Sequence, residues 1–188
     1  MTGPSVCIGI AALGPNVSEL ALNVVRGHVE GKFRLPARLL SPLALPEEAF
    51  DPSRNQYDAA SLLAALDALS RGGCHKVIGV VDVDLYLPIF TYVLGEARMN
   101  GRVALVSLYR LKGDPAMPEA SGEAMLRRAA SIALHELGHL FNLLHCHDRQ
   151  CLMHFAGTVQ ELDRIPQQMC RYCTAYLADV LRSSHSAG

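Results

Sequence analysis

The chain contains no tryptophan, and phenylalanine with tyrosine brings its aromatic share to only 6% of 188 residues. Proteins that hold single-stranded nucleic acid stack bases on aromatic rings, so this scarcity argues against that role. An excess of positive charge is missing too: 17 Lys and Arg face 18 Asp and Glu, a formal net charge of -1. Such a balance gives no long-range draw toward a phosphate backbone. Nucleic acid is therefore not an expected partner. The opening residues MTGPSVCIGIAALGP carry no basic leader, and Gly9 and Gly14 interrupt their apolar run. They read neither as a signal peptide nor as a membrane span, which sets the expectation of a cytoplasmic protein without membrane association. Repeats, linkers and low-complexity tracts are absent as well.

What is present is ordinary globular composition, 50% apolar and 19% charged, over the length of one domain. SVCIGIAA (5–12) has the β-branched content of a buried strand. NVSELALNVVRGHVEG follows as a helix, with Val17, Leu20, Val24 and Val25 on one face and Gly31 as its stop. The proline-punctuated residues 32–51 predict extended surface chain with at most one short strand. DAASLLAALDALSRGG (58–73) predicts a second helix ended by Gly72-Gly73, and KVIGVVDVD (76–84) is the most strand-like run, expected at the sheet centre. Between 90 and 111, Asn100-Gly101 separates two strand-like runs, a hairpin signal that adds an antiparallel strand to an α/β alternation. A long helix is expected from Glu119 to Phe141 with Ser121 as N-cap and Glu123 in its first turn. A loop-rich tail after about residue 146 closes with a helix expected from about Pro166 to Arg182.

The end of the long helix reads HELGHLFNLLHC (135–146). Residues four apart share a helix face, so His135 and His139 can reach one metal ion, with Glu136 beside it and not needed as a ligand. This H-E-x-x-H arrangement is the zincin signature, in which the glutamate acts as general base on zinc-activated water. His145 would lie about 15 Å further along a continuing helix. It can join the same metal only if the chain reverses, and Asn142 is the residue type that adopts the left-handed conformation needed. Leu143 and Leu144 would then pack beneath the turn. Three imidazoles leave a fourth zinc position open, as catalysis requires. A helix carrying surface histidines is the alternative.

Four of the six cysteines follow: Cys146, Cys151, Cys170 and Cys173, spaced C-x4-C and C-x2-C. That is structural-zinc spacing, and a closed four-sulfur site would pin the loop after His145 to the start of the last helix. Its charge of -2 would be offset by the helix N-terminus and by Arg149 and Arg171 nearby. Two disulfides or free packed thiols are the alternatives, less favoured without an export signal. Cys7 and Cys74 read as buried free thiols.

Together HELGHLFNLLHC, CLM and CRYC resemble the archaemetzincin family of zinc metallopeptidases. The wider metzincin pattern is H-E-x-x-H-x-x-G-x-x-H followed by a methionine turn, and the family adds C-x4-C-x-M and a later C-x-x-C. His135, Glu136, His139, His145, Cys146, Cys151, Met153, Cys170 and Cys173 stand at those positions; the pattern's glycine is Asn142 here. DLYLPIFTYVLGEA (84–97) is similar to the family's upstream segment. The resemblance implies a three-layer metzincin-like α/β fold whose mixed sheet carries an antiparallel edge strand, plus a small zinc-stapled helical C-terminal part. It divides the single domain 1–188 at about residue 145, with the cleft between the two parts. The edge strand would pair with an extended peptide, and Met153 would floor the zinc ligands.

The expected function is hydrolysis of peptide or protein substrates with two zinc ions, one catalytic and one structural. Glu136 would take a proton from water and hand it to the leaving amine. His154 and Tyr172 are candidate oxyanion donors. Rival readings share the site: a zinc-stabilised peptide-binding module with little or no hydrolysis, or an amidohydrolase acting on small amides. His28, His75, His147 and His185 read as solvent or packing residues, with His147 and Asp148 able to support a ligand, and Arg127-Arg128 as an exposed helix face. Oligomeric state leaves no trace in the sequence.

Overall fold

The computed structural model describes residues 7–69, 73–113 and 121–186. A five-stranded sheet has the order β2 (Ala37–Leu39), β1 (Ile8–Leu13), β5 (Lys76–Val81), β9 (Val103–Ser107), β8 (Gly95–Ala97). The first four are parallel and β8 is antiparallel to β9, so the sheet is mixed with an antiparallel edge, and the KVIGVV run lies at its centre. Alternation explains why these runs look continuously apolar. Ile8, Ile10, Ile78, Val80, Ala104 and Val106 enter a core shared with α1 (Glu19–Phe33) and α3 (Gly122–Leu140). Ala11, Leu13, Val77, Val81, Val103 and Leu105 enter a second core with α2 (Ala59–Leu69). A sheet covered on both faces needs apolar residues at every position, and the result is the three-layer arrangement.

A smaller sheet runs β3 (Phe50–Asp51), β4 (Gln56–Asp58), β6 (Leu85–Leu87), β7 (Phe90–Val93). The stretch 32–51 thus carries two short strands where one was expected. FTYVLGEA is likewise divided between β7 and β8. The hairpin follows at Asn100, with φ of 52°, and Gly101 donates its N–H to Arg98 O at 2.8 Å.

Helix boundaries depart from the local signals where tertiary packing decides. Ser18 caps α1, but the buried face is Ala21, Val25, Val29 and Phe33, and Leu20 is 62% exposed. The helix passes Gly31 to Phe33, whose ring stacks on Phe141 at 5.6 Å, and ends on Arg34 with φ of 54°. Ser121 caps α3 by accepting from Ala124 N; residues 119 and 120, and Gly72 after α2, lie outside the described residues. A short α4 (Val159–Leu162), absent from the sequence reading, precedes α5 (Arg171–Ser186). The last helix starts later than expected because Gln168 O accepts from Leu152 N at 2.7 Å, which keeps 166–170 out of a helix. Arg128 is not on an exposed face: its side chain is 12% exposed, pairs with Asp163 at 2.6 Å and donates to Leu111 O. Arg127 joins the same carboxylate, fixing α3 to the chain after α4.

Cys7 and Cys74 are disulfide-bonded, not free. The parallel register that sets Ile8 opposite Lys76 brings these two positions, 67 residues apart, to a Cα separation of 4.9 Å. Among the described residues no helix is long and apolar enough to cross a membrane. Unfolded without reductant, the chain should offer four thiols to alkylation, and six after reduction, counted by intact mass. Six in both conditions would show that the Cys7–Cys74 bond does not form.

Candidate metal centre

The C-terminal turns of α3 carry His135 and His139 on one face, and the helix stops immediately beyond. Leu143 N donates to Gly138 O at 3.0 Å and Asn142 N to His139 O at 2.9 Å, with Asn142 at φ of 65°. This bond pair with a left-handed residue is a Schellman motif. It turns the chain back, so the His145 ring lies 5.3 Å from that of His135 and 4.8 Å from that of His139. Leu143 packs under the turn at 3% exposure, whereas Leu144, expected beside it, is 72% exposed and faces the cleft.

Ring orientation is set by backbone. His135 Nδ1 lies 2.8 Å from Leu152 O, and His139 Nδ1 lies 2.7 Å from Leu143 O. A carbonyl oxygen can only accept, so each Nδ1 bears the proton and each Nε2 offers a lone pair. The two Nε2 atoms are 3.0 Å apart. Two lone pairs so close repel unless a cation separates them, and neighbouring imidazoles on tetrahedral zinc have nitrogens about 3.3 Å apart. The donor atoms of His135, His139 and His145 all fall within 4.8 Å of one another. Burial pushes the His135 pKa down to about 3, and burial also lowers those of His139 and His145. The donor set therefore fits zinc: neutral, convergent and held by second partners.

Glu136 is 7% exposed and faces the same cleft. Burial first, and the charge of Glu96 second, raise its carboxyl well above the ordinary range. A dication alongside would draw it back toward ionisation. The cleft, about 630 Å³, runs between the β7–β8 segment on one side and Phe155, Leu162 and Ile165 on the other. At Gly95 a Cβ would stand 2.6 Å from Ile132 Cγ2 and 2.8 Å from Leu105 O, so only glycine lets the edge strand lie this close over α3. Met153 is fully buried beneath the helix, where a Cβ on Gly138 would meet its sulfur at 2.5 Å.

Cys146, Cys151, Cys170 and Cys173 also bring their sulfurs within 4.8 Å of one another, and none of the four is disulfide-bonded. The Cys146 and Cys170 sulfurs are 3.9 Å apart, near the edge of about 3.8 Å for a zinc–thiolate tetrahedron. Cys170 N donates to Cys151 Sγ at 3.2 Å. The N–H of Cys173 at the start of α5 leads the effects that lower Cys170 to about 7, while burial pushes Cys151 and Cys173 up. A thiolate is therefore favoured at one corner, and a metal would supply the charge to deprotonate the others.

The remaining candidates separate. His154 lines the cleft with Nδ1 2.8 Å from Cys146 O, whereas Tyr172 is 70% exposed, lies outside the cleft and accepts from Arg171. Asp148 shapes the Cys146–Cys151 loop by accepting from Gln150 N and Cys151 N, and His147 is exposed. Sequence reasoning missed Gly95 and Glu96, since nothing in VLGEA marks them as cleft residues.

The family model for peptidase family M54 matches residues 12–179. An archaemetzincin from Methanopyrus kandleri is 42% identical over 133 residues, 71% of this chain and 72% of that one. One from Pyrococcus horikoshii is 33% identical over 162 residues, 85% of this chain and 86% of that one. The crystal structure of the Methanopyrus kandleri archaemetzincin superimposes with a TM-score of 0.84 at 34% identity, covering 96% of this chain and 97% of that one.

Two measurements probe the histidine arrangement. Asn142→Gly and Asn142→Ala both lose the side-chain bond to Tyr176, so comparing them isolates the backbone. Asn142→Ala must hold positive φ with a Cβ, so it should be less stable than Asn142→Gly by about 1–2 kcal/mol and surrender metal faster to a chelator. Equal melting of the two variants would remove the constraint. In metal-free protein, 15N NMR should find His135 neutral between pH 7 and 5, since its pKa lies at about 3. Titration of that ring near the usual 6.5 would refute the burial described.

Proposed function

The chain belongs to peptidase family M54 and is a zinc metallopeptidase, and from that premise we propose that Glu136 is the general base of peptide hydrolysis beside a zinc held by His135, His139 and His145. Zinc bound there supplies a Lewis acid that polarises the scissile carbonyl and acidifies water. Glu136 accepts the proton of the attacking water and returns it to the departing amine nitrogen. Its burial suits a carboxyl that alternately takes and gives a proton near neutrality. The carrying observation is the convergence of the imidazole Nε2 atoms, each of two rings anchored through Nδ1 to a carbonyl, next to a carboxyl open to the cleft.

The substrate chain lies along β8. Ser107 N donates to Leu94 O at 2.9 Å, so alternation directs the N–H and C=O of Gly95 and Ala97 away from β9, free to pair with an extended peptide. His154, with Nδ1 committed to Cys146 O, offers Nε2 as an acceptor when neutral and donates to an oxyanion only when protonated. Cys146, Cys151, Cys170 and Cys173 hold a second, structural zinc that secures the part after about residue 145 to the rest of the domain. Its closed shell makes it the slower of the two to exchange.

Glu136→Gln keeps the shape and removes the proton acceptor. The zinc-loaded variant should retain two zinc ions per chain by mass spectrometry and lose peptide hydrolysis by at least about 100-fold. Hydrolysis at parental rate would end the general-base assignment, and one zinc per chain would end the two-site reading.

A further inference from the structure

Glu96, in the middle of β8, is half-buried, lines the cleft, and among the described residues has no hydrogen bond or ion pair at its carboxylate. Burial raises its pKa. Among the described residues, those lining the cleft include two carboxylates, Glu96 and Glu136, and neither lysine nor arginine. Two guanidinium groups that touch cleft-lining residues are committed elsewhere, and exposed Arg98, two residues along from Glu96, makes no ion pair with it. Arg110, stacked on Tyr92, is held by Asp84 at 2.6 and 2.7 Å, and Arg54 donates to Gln56 and to the carbonyls of Phe90 and Thr91.

Register shows what would meet this carboxylate. Glu96 pairs with Leu105, whose side chain enters the core with α2, so Glu96 faces away from α3. Gly95 and Ala97, which flank it, carry the outward-facing backbone groups. A peptide bonded to both sets one residue directly opposite Glu96 in a non-hydrogen-bonded pair, the arrangement in which cross-strand side chains stand closest. A carboxylate already partly removed from water and lacking a partner favours a cation there and repels an anion.

We infer that Glu96 is a specificity-determining residue that selects peptides presenting an ammonium or guanidinium group opposite it on the edge strand. This rests on the peptidase reading of the same cleft. The cation can come from a Lys or Arg side chain or from a free N-terminal amine; the shared chemistry is a charge-assisted hydrogen bond to the Glu96 carboxylate.

One peptide scaffold carrying lysine, norleucine or glutamate in turn at each position, with free or acetylated N-terminus, tests the inference. Dissociation constants are measured on zinc-loaded Glu136→Gln protein, with and without Glu96→Gln or Glu96→Lys, and kcat/KM on protein with Glu136 intact. Either lysine at one position should bind at least about tenfold more tightly than norleucine, or the free N-terminus should bind at least about tenfold more tightly than the acetylated one. That ratio should fall to within about twofold in Glu96→Gln, and Glu96→Lys should prefer glutamate. A lysine preference that survives acetylation assigns the group to a side chain; a preference for the free over the acetylated terminus assigns it to the amine. No cationic preference, a preference unchanged in Glu96→Gln, or no binding by any peptide overturns the inference. Cleavage of norleucine peptides without cationic preference would sink this inference alone. Preferential binding without any turnover would sink the general-base assignment and leave Glu96 in its role.

Discussion

Two hydrogen bonds at the end of α3, Leu143 N to Gly138 O and Asn142 N to His139 O, organise everything downstream. They convert a helix that would carry His145 away into a reversal that returns it to the other two imidazoles. The same turn presents Leu143 O to His139 Nδ1, so one backbone event both supplies the third ring and orients the second. The strain of holding a non-glycine residue at φ of 65° is modest for asparagine. Here its side-chain amide also donates to Tyr176 OH at 3.0 Å, a bond that reaches from the turn to α5.

The two cysteine and histidine centres are one construction. His135 is aimed by Leu152 O, a residue between Cys151 and Met153, and His154 by the carbonyl of Cys146, which follows His145 directly. Cys146 N in turn bonds to Met153 O at 2.8 Å. Whatever holds the four sulfurs together thus also holds the carbonyl that orients the first imidazole. In this tail Cys151, Leu152, Met153, Leu162 and Leu177 join the core shared with α1 and α3, and a metal bound by the four sulfurs would add to that packing.

Features with local physical causes were legible from the residues: the N-cap Ser121 does accept from the backbone amide of Ala124, the Asn100-Gly101 turn closes a hairpin, and Lys76–Val81 lies at the sheet centre. The family itself was legible, because the His and Cys spacings all fall within residues 135–173. Features decided by distant partners were not. The buried face of α1 is set by Phe33 meeting Phe141, the start of α5 by Gln168 meeting Leu152, and the burial of Arg128 by Asp163. Cys7 and Cys74 look like two unrelated thiols until a parallel register joins them. Gly95 and Glu96 carry no periodic or compositional mark, since their roles come from which edge of the sheet they occupy.

The missing side chain at position 95 has a mechanical consequence. With Leu105 O and the Ile132 methyl both nearer than a methyl group tolerates, the strand and the helix below it are in van der Waals register and cannot slide past each other independently. One jaw of the groove is therefore rigid. Any yielding to a bulky guest has to come from the opposite jaw, where Phe155 is 52% exposed and the chain is loop and short helix.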